Sequence, residues 1–131
     1  LTVLPERIPT VVQIKRVYNE PHSQDGIRIL VDRVWPRGCT KERARLDAWR
    51  KDLAPSPALR KWFGHDPAKW EEFCARYRIE LKEPEPRRAI EELARLAQKH
   101  RLTLLFGAAD AEHNQAVVLK EVIEDAGKYI R

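Results

Sequence analysis

Apolar positions along the chain change period several times, and each change marks an element. Residues 11–18 (VVQIKRVY) are β-branched and partly alternating, which predicts a first strand. A polar loop, NEPHSQDG, follows over residues 19–26, and residues 27–33 form a second predicted strand that begins with the apolar run Ile27 to Val31. Eight loop residues are long for a tight hairpin and short for a helical crossover, so the direction of this pair stays open. Residues 1–10, with Pro5 and Pro9, read as an irregular lead-in.

The middle of the chain reads as helical. Thr40 is a predicted N-cap, and a helix over 41–53 places Leu46, Trp49 and Leu53 on one face. Ala54-Pro55 ends it, because the residue before proline disfavours the helical region. Ser56-Pro57 starts a short helix carrying Leu59, Trp62 and Phe63, and Gly64 stops it. Asp66-Pro67 repeats the start signal for a helix over 67–81, with Trp70, Phe73, Cys74, Tyr77 and Leu81 on one stripe. After a proline-marked break at 82–86, residues 87–100 form another helix that faces inward through Ile90, Leu93, Ala94 and Ala97. The wholly buried type of strand is expected at 102–106 (LTLLF). A sharp GAAD turn then leads to a last helix over 111–126, capped by Asp110 and stopped by Gly127. No repeat, low-complexity tract or linker divides this mixture of strands and helices, so a single α/β domain is expected over residues 1–131.

Composition narrows the class further. The chain has 131 residues and is 43% hydrophobic with four tryptophans, enough to bury a core. No apolar run approaches the roughly 20 residues of a membrane helix, and no signal peptide is legible. The chain opens at Leu1 and lacks methionine, so a trimmed start is expected. Cys39 and Cys74 have no metal-type or CxxC spacing. A cytoplasmic protein without disulfides, metal or cofactor is expected. The net charge of +5 favours anionic partners.

The strongest chemical signal is the stretch IRILVDRVWPRGCTK, residues 27–41, where a buried strand runs into a charged loop. Asp32, Arg33, Trp35 and Arg37 are candidate ligand-binding residues: two arginines beside a tryptophan can grip a phosphate or carboxylate and stack a planar group. The competing reading pairs Asp32 and Arg33 with neighbours and uses Trp35-Pro36 as a core plug. The second constellation is Asp110, His113 and Asn114 at the end of the LTLLF strand. There, helix N-terminal amides favour an anion, Asn114 joins the ligand-binding set, and His113 and Asp110 are the candidate catalytic pair, with His113 as acid or base. Read without chemistry, Asp110 is only a cap and His113 only a surface residue. Parallel neighbouring strands would bring the two constellations together. His65, in the Trp62–Asp66 turn, is more simply a residue between core aromatics and an N-cap. Cys74 falls on an apolar stripe, and Cys39 has no visible partner base.

In order, the segments IKRVY (14–18), ILVDRVWPRG (29–38), KERARLDAWRKDLAPS (41–56), LRKWFGHDPAKWEEF (59–73) and LLFGAADAEHNQAVVLK (104–120) resemble the short, bacterial-type branch of the DUF488 family. The resemblance implies a small open α/β domain whose core is a mostly parallel, Rossmann-like sheet of few strands under about five helices. Some relatives carry porphyrin-methyltransferase labels, but no Gly-rich cofactor loop follows a strand here. Longer members tend to end their last strand near a Cys-His-Arg cluster. The similar place here reads Asp110-Ala-Glu-His113-Asn114, without cysteine, which removes thiol chemistry from the expectation.

The expected function is therefore a small-anion pocket at strand C-terminal ends, with catalysis left open and no membrane partner. Two alternatives remain. A nucleic-acid-binding module would use Arg28, Arg33, Arg37, Lys41, Arg43, Arg45 and Arg50, and a partner-binding protein would use exposed aromatic residues.

Overall fold

A computed structural model describes residues 11–130, so the lead-in at 1–10 lies outside the described residues. The strands are β1 (Val12–Arg16), β2 (Ile27–Leu30), β3 (Ala48–Trp49) and β4 (Leu102–Phe106). The helices are α1 (Lys41–Ala44), α2 (Pro57–Phe63), α3 (Trp70–Glu80), α4 (Pro84–Lys99) and α5 (Gln115–Gly127). The sheet order is β1-β4-β2-β3, and every pairing is parallel. This is the small open α/β fold that the pattern predicts.

β4 is the centre of the sheet, and all five of its residues are buried. Val12 and Ile27 both stand in register with Leu102, and Ile14 and Ile29 both with Leu104. One face, carrying Val12, Ile29, Val31, Leu102, Leu104 and Phe106, packs with the buried residues of α2 to α5 in the main core. The other face, with Val17, Leu30 and Leu105, is covered by Ala44 and half-buried Trp35, Cys39, Leu46 and Trp49. The helical cover is thus heavily one-sided.

The open question about the first two strands has a simple answer: they are parallel but not adjacent, because β4 lies between them. Residues 17–26 return the chain from the end of β1 to the start of β2. The path spans a strand length of about 17 Å and two strand spacings of about 5 Å each, within reach of ten extended residues. Gly26 makes the final corner at φ +66°, and a Cβ there would lie 2.3 Å from the Arg101 carbonyl oxygen.

A buried ion pair anchors this return loop. Asp25 accepts from the Arg28 guanidinium at 2.5 Å and from Lys15 Nζ at 3.2 Å. Its carboxylate also accepts the His22 N–H, while its carbonyl oxygen accepts from Thr103 Oγ1 at 2.6 Å on the central strand. Arg28 further donates to the carbonyls of Ala44 and Arg45, closing the end of α1. Neither charge of the pair is left without partners, as burial requires.

The predicted helix over 41–53 is corrected. It stops after one turn because Arg45 takes the left-handed conformation (φ 46°). The chain then aligns with β2: Asp47 N–H donates to the Arg28 carbonyl, Arg50 N–H donates to the Leu30 carbonyl, and Ala48-Trp49 form a short edge strand. Leu46 and Trp49 consequently lie on one side of the sheet and Leu53 on the other. Backbone pairing with an existing strand outweighs a helical pattern that had only three apolar positions to bury.

The later starts and stops follow the sequence more closely. Ser56 caps α2 and Gly64 ends it in the left-handed region. The Asp66-Pro67 start makes a 3-10 turn that runs into α3. α4 begins earlier than expected, because Pro84 occupies its first turn, where a missing N–H costs nothing. α5 begins later: its cap is Asn114, not Asp110, and Gly127 is its last residue, not its stop. Edge strand β1 is shielded by α5, whose Lys120 Nζ and Glu124 carboxylate bond the Val12 carbonyl and N–H.

Asp25 is a testable part of this framework. Burial alone would raise its pKa, but the His22 N–H and the Lys15 and Arg28 bonds together hold it below the ordinary 3.8. A depressed carboxyl pKa contributes stability above pH 3.8 that is lost as pH falls through the folded value. Asp25→Asn is therefore expected to lower the urea midpoint near neutral pH and to converge with the wild-type chain below pH 3.8. A constant offset across that range would contradict the assignment.

Candidate functional site

Because β2 and β4 are parallel neighbours, the loop after β2 and the turn after β4 leave the same edge of the sheet. They converge on a cavity of about 620 Å³. One wall is the loop from Asp32 to Arg37, and the opposite wall is the end of α2 with its turn, Arg60 to His65. Gly107, Ala108 and His113 to Gln115 form the third side, Tyr18 closes the rim, and Phe63 and Phe73 line the apolar interior. That volume lies within the ordinary range of small-molecule sites.

Asp32 joins the walls. Its Oδ2 accepts the Gly107 N–H at 2.9 Å and its Oδ1 accepts from Gln115 Nε2 at 2.5 Å. Gly107 makes room for this: an added Cβ would sit 2.8 Å from Asp32 Oδ2, so the carboxylate would have to shift. Burial raises the Asp32 pKa above 3.8, opposed by these two donors and, through space, by Arg60 and His65. Trp49 Nε1 donates to the Asp32 carbonyl at 2.7 Å, so the short strand β3 steadies the same residue.

The other expected ligand-binding residues divide into structural and available groups. Arg33 lines the cavity, but its guanidinium donates to the carbonyls of Ala54 and Pro55. Trp35 packs edge-on against Trp49 at 5.3 Å and donates to the Cys39 carbonyl, so it is a rigid wall. Asn114 is 2% exposed, with its Oδ1 capping α5 and its Nδ2 bonded to the Asp110 carbonyl. Its amide is thus committed to the fold although the residue borders the cavity. Arg37 is exposed; Tyr18 donates to its carbonyl at 2.7 Å, and its guanidinium has no partner among the described residues.

His113 and Asp110 do form a pair. His113 Nδ1 lies 2.8 Å from Asp110 Oδ2, and the ring stands edge-on to Trp70 at 5.2 Å. Asp110 also accepts the N–H groups of Glu112 and His113, and these bonds with the His113 ring hold its carboxyl below the ordinary 3.8. With Nδ1 occupied, Nε2 is the ring nitrogen left without a partner among the described residues. His113 lines the cavity and Asp110 supports it from behind.

Sequence reasoning missed Arg60 and Lys61 and underrated His65. All three are exposed and face the cavity from the end of α2. The only available signal was their position beside the Trp62-Phe63 core pair and the Gly64 stop. The basic run from 28 to 50 is depleted by the fold: Arg28 is buried with Asp25, Arg33 holds carbonyls, and Arg50 pairs with Asp52 at 2.9 Å. Among the described residues, no group of three or more His, Cys, Asp or Glu is placed to hold a metal, and no helix is long and apolar enough to cross a membrane.

Fold and site together define a small parallel α/β protein with a cation-rimmed cavity at the carboxyl edge of its sheet. The chain belongs to the DUF488 family: the family model described as the inactive DUF488-N3 subclade matches residues 11–129. It is 42% identical over 110 residues to the uncharacterized protein YeaO of Escherichia coli (strain K12), covering 84% of this chain and 94% of that one. It is 37% identical over 114 residues to the uncharacterized protein Rv3073c of Mycobacterium tuberculosis (strain ATCC 25618 / H37Rv), covering 87% and 94%. No solved structure gives a significant match.

The tie between the walls can be tested directly. Gly107→Ala is expected to displace the Asp32 carboxylate and lower stability by on the order of 1–2 kcal/mol, the worth of a part-buried hydrogen bond plus local strain. An unchanged melting temperature would show that the two walls do not depend on this contact.

Proposed function

We propose that this protein binds a small phosphate- or carboxylate-bearing ligand in the cavity and does not turn it over. The observation that carries this reading is the charge distribution: among the described residues, four cationic side chains, Arg33, Arg37, Arg60 and Lys61, line one cavity against a single carboxylate, Asp32. Arg37, Arg60 and Lys61 have no side-chain ion pair or hydrogen bond to any described residue, so their donors remain for a ligand. Such rims attract anions and bind them through charge-assisted hydrogen bonds.

Binding without turnover is favoured by the chemistry around His113. A histidine held by Asp110 can accept a proton, but among the described residues no cysteine, serine or threonine hydroxyl or thiol lines the cavity for it to activate. The description of the matched subclade as inactive points the same way. In this reading His113 is a polar wall residue and Asp110 its positioning partner.

Calorimetry with inorganic phosphate at low salt tests the proposal. Binding is expected, and Arg37→Ala and Arg60→Ala should each weaken it about tenfold, the value of one charge-assisted hydrogen bond. Arg43→Ala, exposed and outside the cavity, should leave it unchanged. No phosphate binding, together with salt-sensitive binding of a short oligonucleotide, would replace this reading with a nucleic-acid surface.

A further inference from the structure

The tie between the walls leaves a carboxylate, Asp32, inside a pocket read as taking an anion. Its two oxygens accept one hydrogen bond each, from Gly107 and Gln115. An ionised carboxylate has about four acceptor sites, so about half of its capacity remains. Arg60 and His65, at the end of α2 and in its turn, act on it only through space. Asp32 makes no ion pair with any described residue, so the charges across the cavity are held apart instead of joined.

Gln115 adds a second acceptor. A carboxylate without its proton only accepts, so the Gln115 amide must present Nε2 to Asp32. That orientation leaves Gln115 Oε1 as an acceptor with no partner among the described residues, and Gln115 also lines the cavity. The cavity therefore offers two neighbouring acceptors, Asp32 and Gln115, in a lining that is otherwise rich in donors. A ligand group meeting these acceptors has to donate hydrogen bonds. It is also neutral, since the surrounding arginines and lysine oppose a further positive charge.

Building on the anion-binding reading, we infer that the ligand is a polyol phosphate, in which Asp32 and Gln115 accept from adjacent hydroxyl groups while Arg37, Arg60 and Lys61 hold the phosphate. The volume of about 620 Å³ accommodates more than an inorganic anion. Sites built to bond a hydroxyl discriminate strongly against the analogue lacking it, because buried acceptors are then left unmatched.

The test is calorimetry on the full chain with glycerol 3-phosphate and 1-propyl phosphate, which share the phosphate and carbon chain and differ in two hydroxyls. Glycerol 3-phosphate should bind at least about tenfold more tightly. Asp32→Asn should remove most of that preference while propyl phosphate binds as well as before or better, because a negative charge has gone. A merely structural role for Asp32 would weaken both ligands together. Gln115→Met, of similar shape, supplies a second variant and should also reduce the preference. Equal binding of the two phosphates, or a preference that survives both variants, overturns this inference and leaves the anion pocket standing. Absence of binding by either ligand and by inorganic phosphate overturns both.

Discussion

The carboxylate of Asp32 is where the end of β2 is joined to the turn that leaves β4, and the cavity depends on that joint. Two parallel strands deliver the loops to the same edge, but strand pairing alone does not set how far apart they stand. The bonds from Asp32 to the Gly107 N–H and the Gln115 amide do. A Cβ at position 107 would press on this carboxylate and force it to shift. Among the described residues that line the cavity, the same carboxylate is the one acidic group beside four basic side chains.

The basic residues show how a fold redistributes charge. Arg28 disappears into a buried network with Asp25, Lys15 and the end of α1. Arg33 secures the carbonyls of Ala54 and Pro55, and Arg50 turns to Asp52. Arg28 is buried and so must be paired and hydrogen-bonded, and the half-buried Arg33 and Arg50 spend their donors on nearby acceptors. Arg37, Arg60 and Lys61 carry no such obligation and surround the cavity. Net charge says little about where cations lie, whereas the fold gathers these three around one cavity.

A one-sided helical cover makes the other face of the sheet unusual. Residues 17–26 and the short α1 cover it, with Trp35 and Trp49 packed edge-on beside them. The Asp25–Arg28 pair is central to that layer, because it ties the crossover loop to β2, β4 and α1 at once.

Much of the fold was legible because local chemistry and the tertiary context agree. Ser56-Pro57, Gly64 and the LTLLF strand do in the structure what their residue types favour. The strand-into-loop stretch at 27–41 and the turn at 107–114 were also visible as candidate walls, from polarity changes at strand ends. Other features depended on distant partners. Arg45 stops α1 because the following residues pair with β2, and Asn114, not Asp110, caps α5 because the turn at Asp110 is closed by its own bonds to Glu112 and His113. Nothing local to Arg60, Lys61 or His65 marks them as cavity residues. They reach it only because α2 packs its Leu59 and Phe63 against the core and thereby points its last turn across the sheet edge. By itself, then, the sequence determined most of the strands and helices and where charge accumulates, since backbone preference and hydrophobic period act over a few residues. The fate of residues 45–53, which strands are neighbours, which cations are spent on carbonyls and carboxylates, and which are left to line the cavity were decided by contacts between residues far apart in the chain.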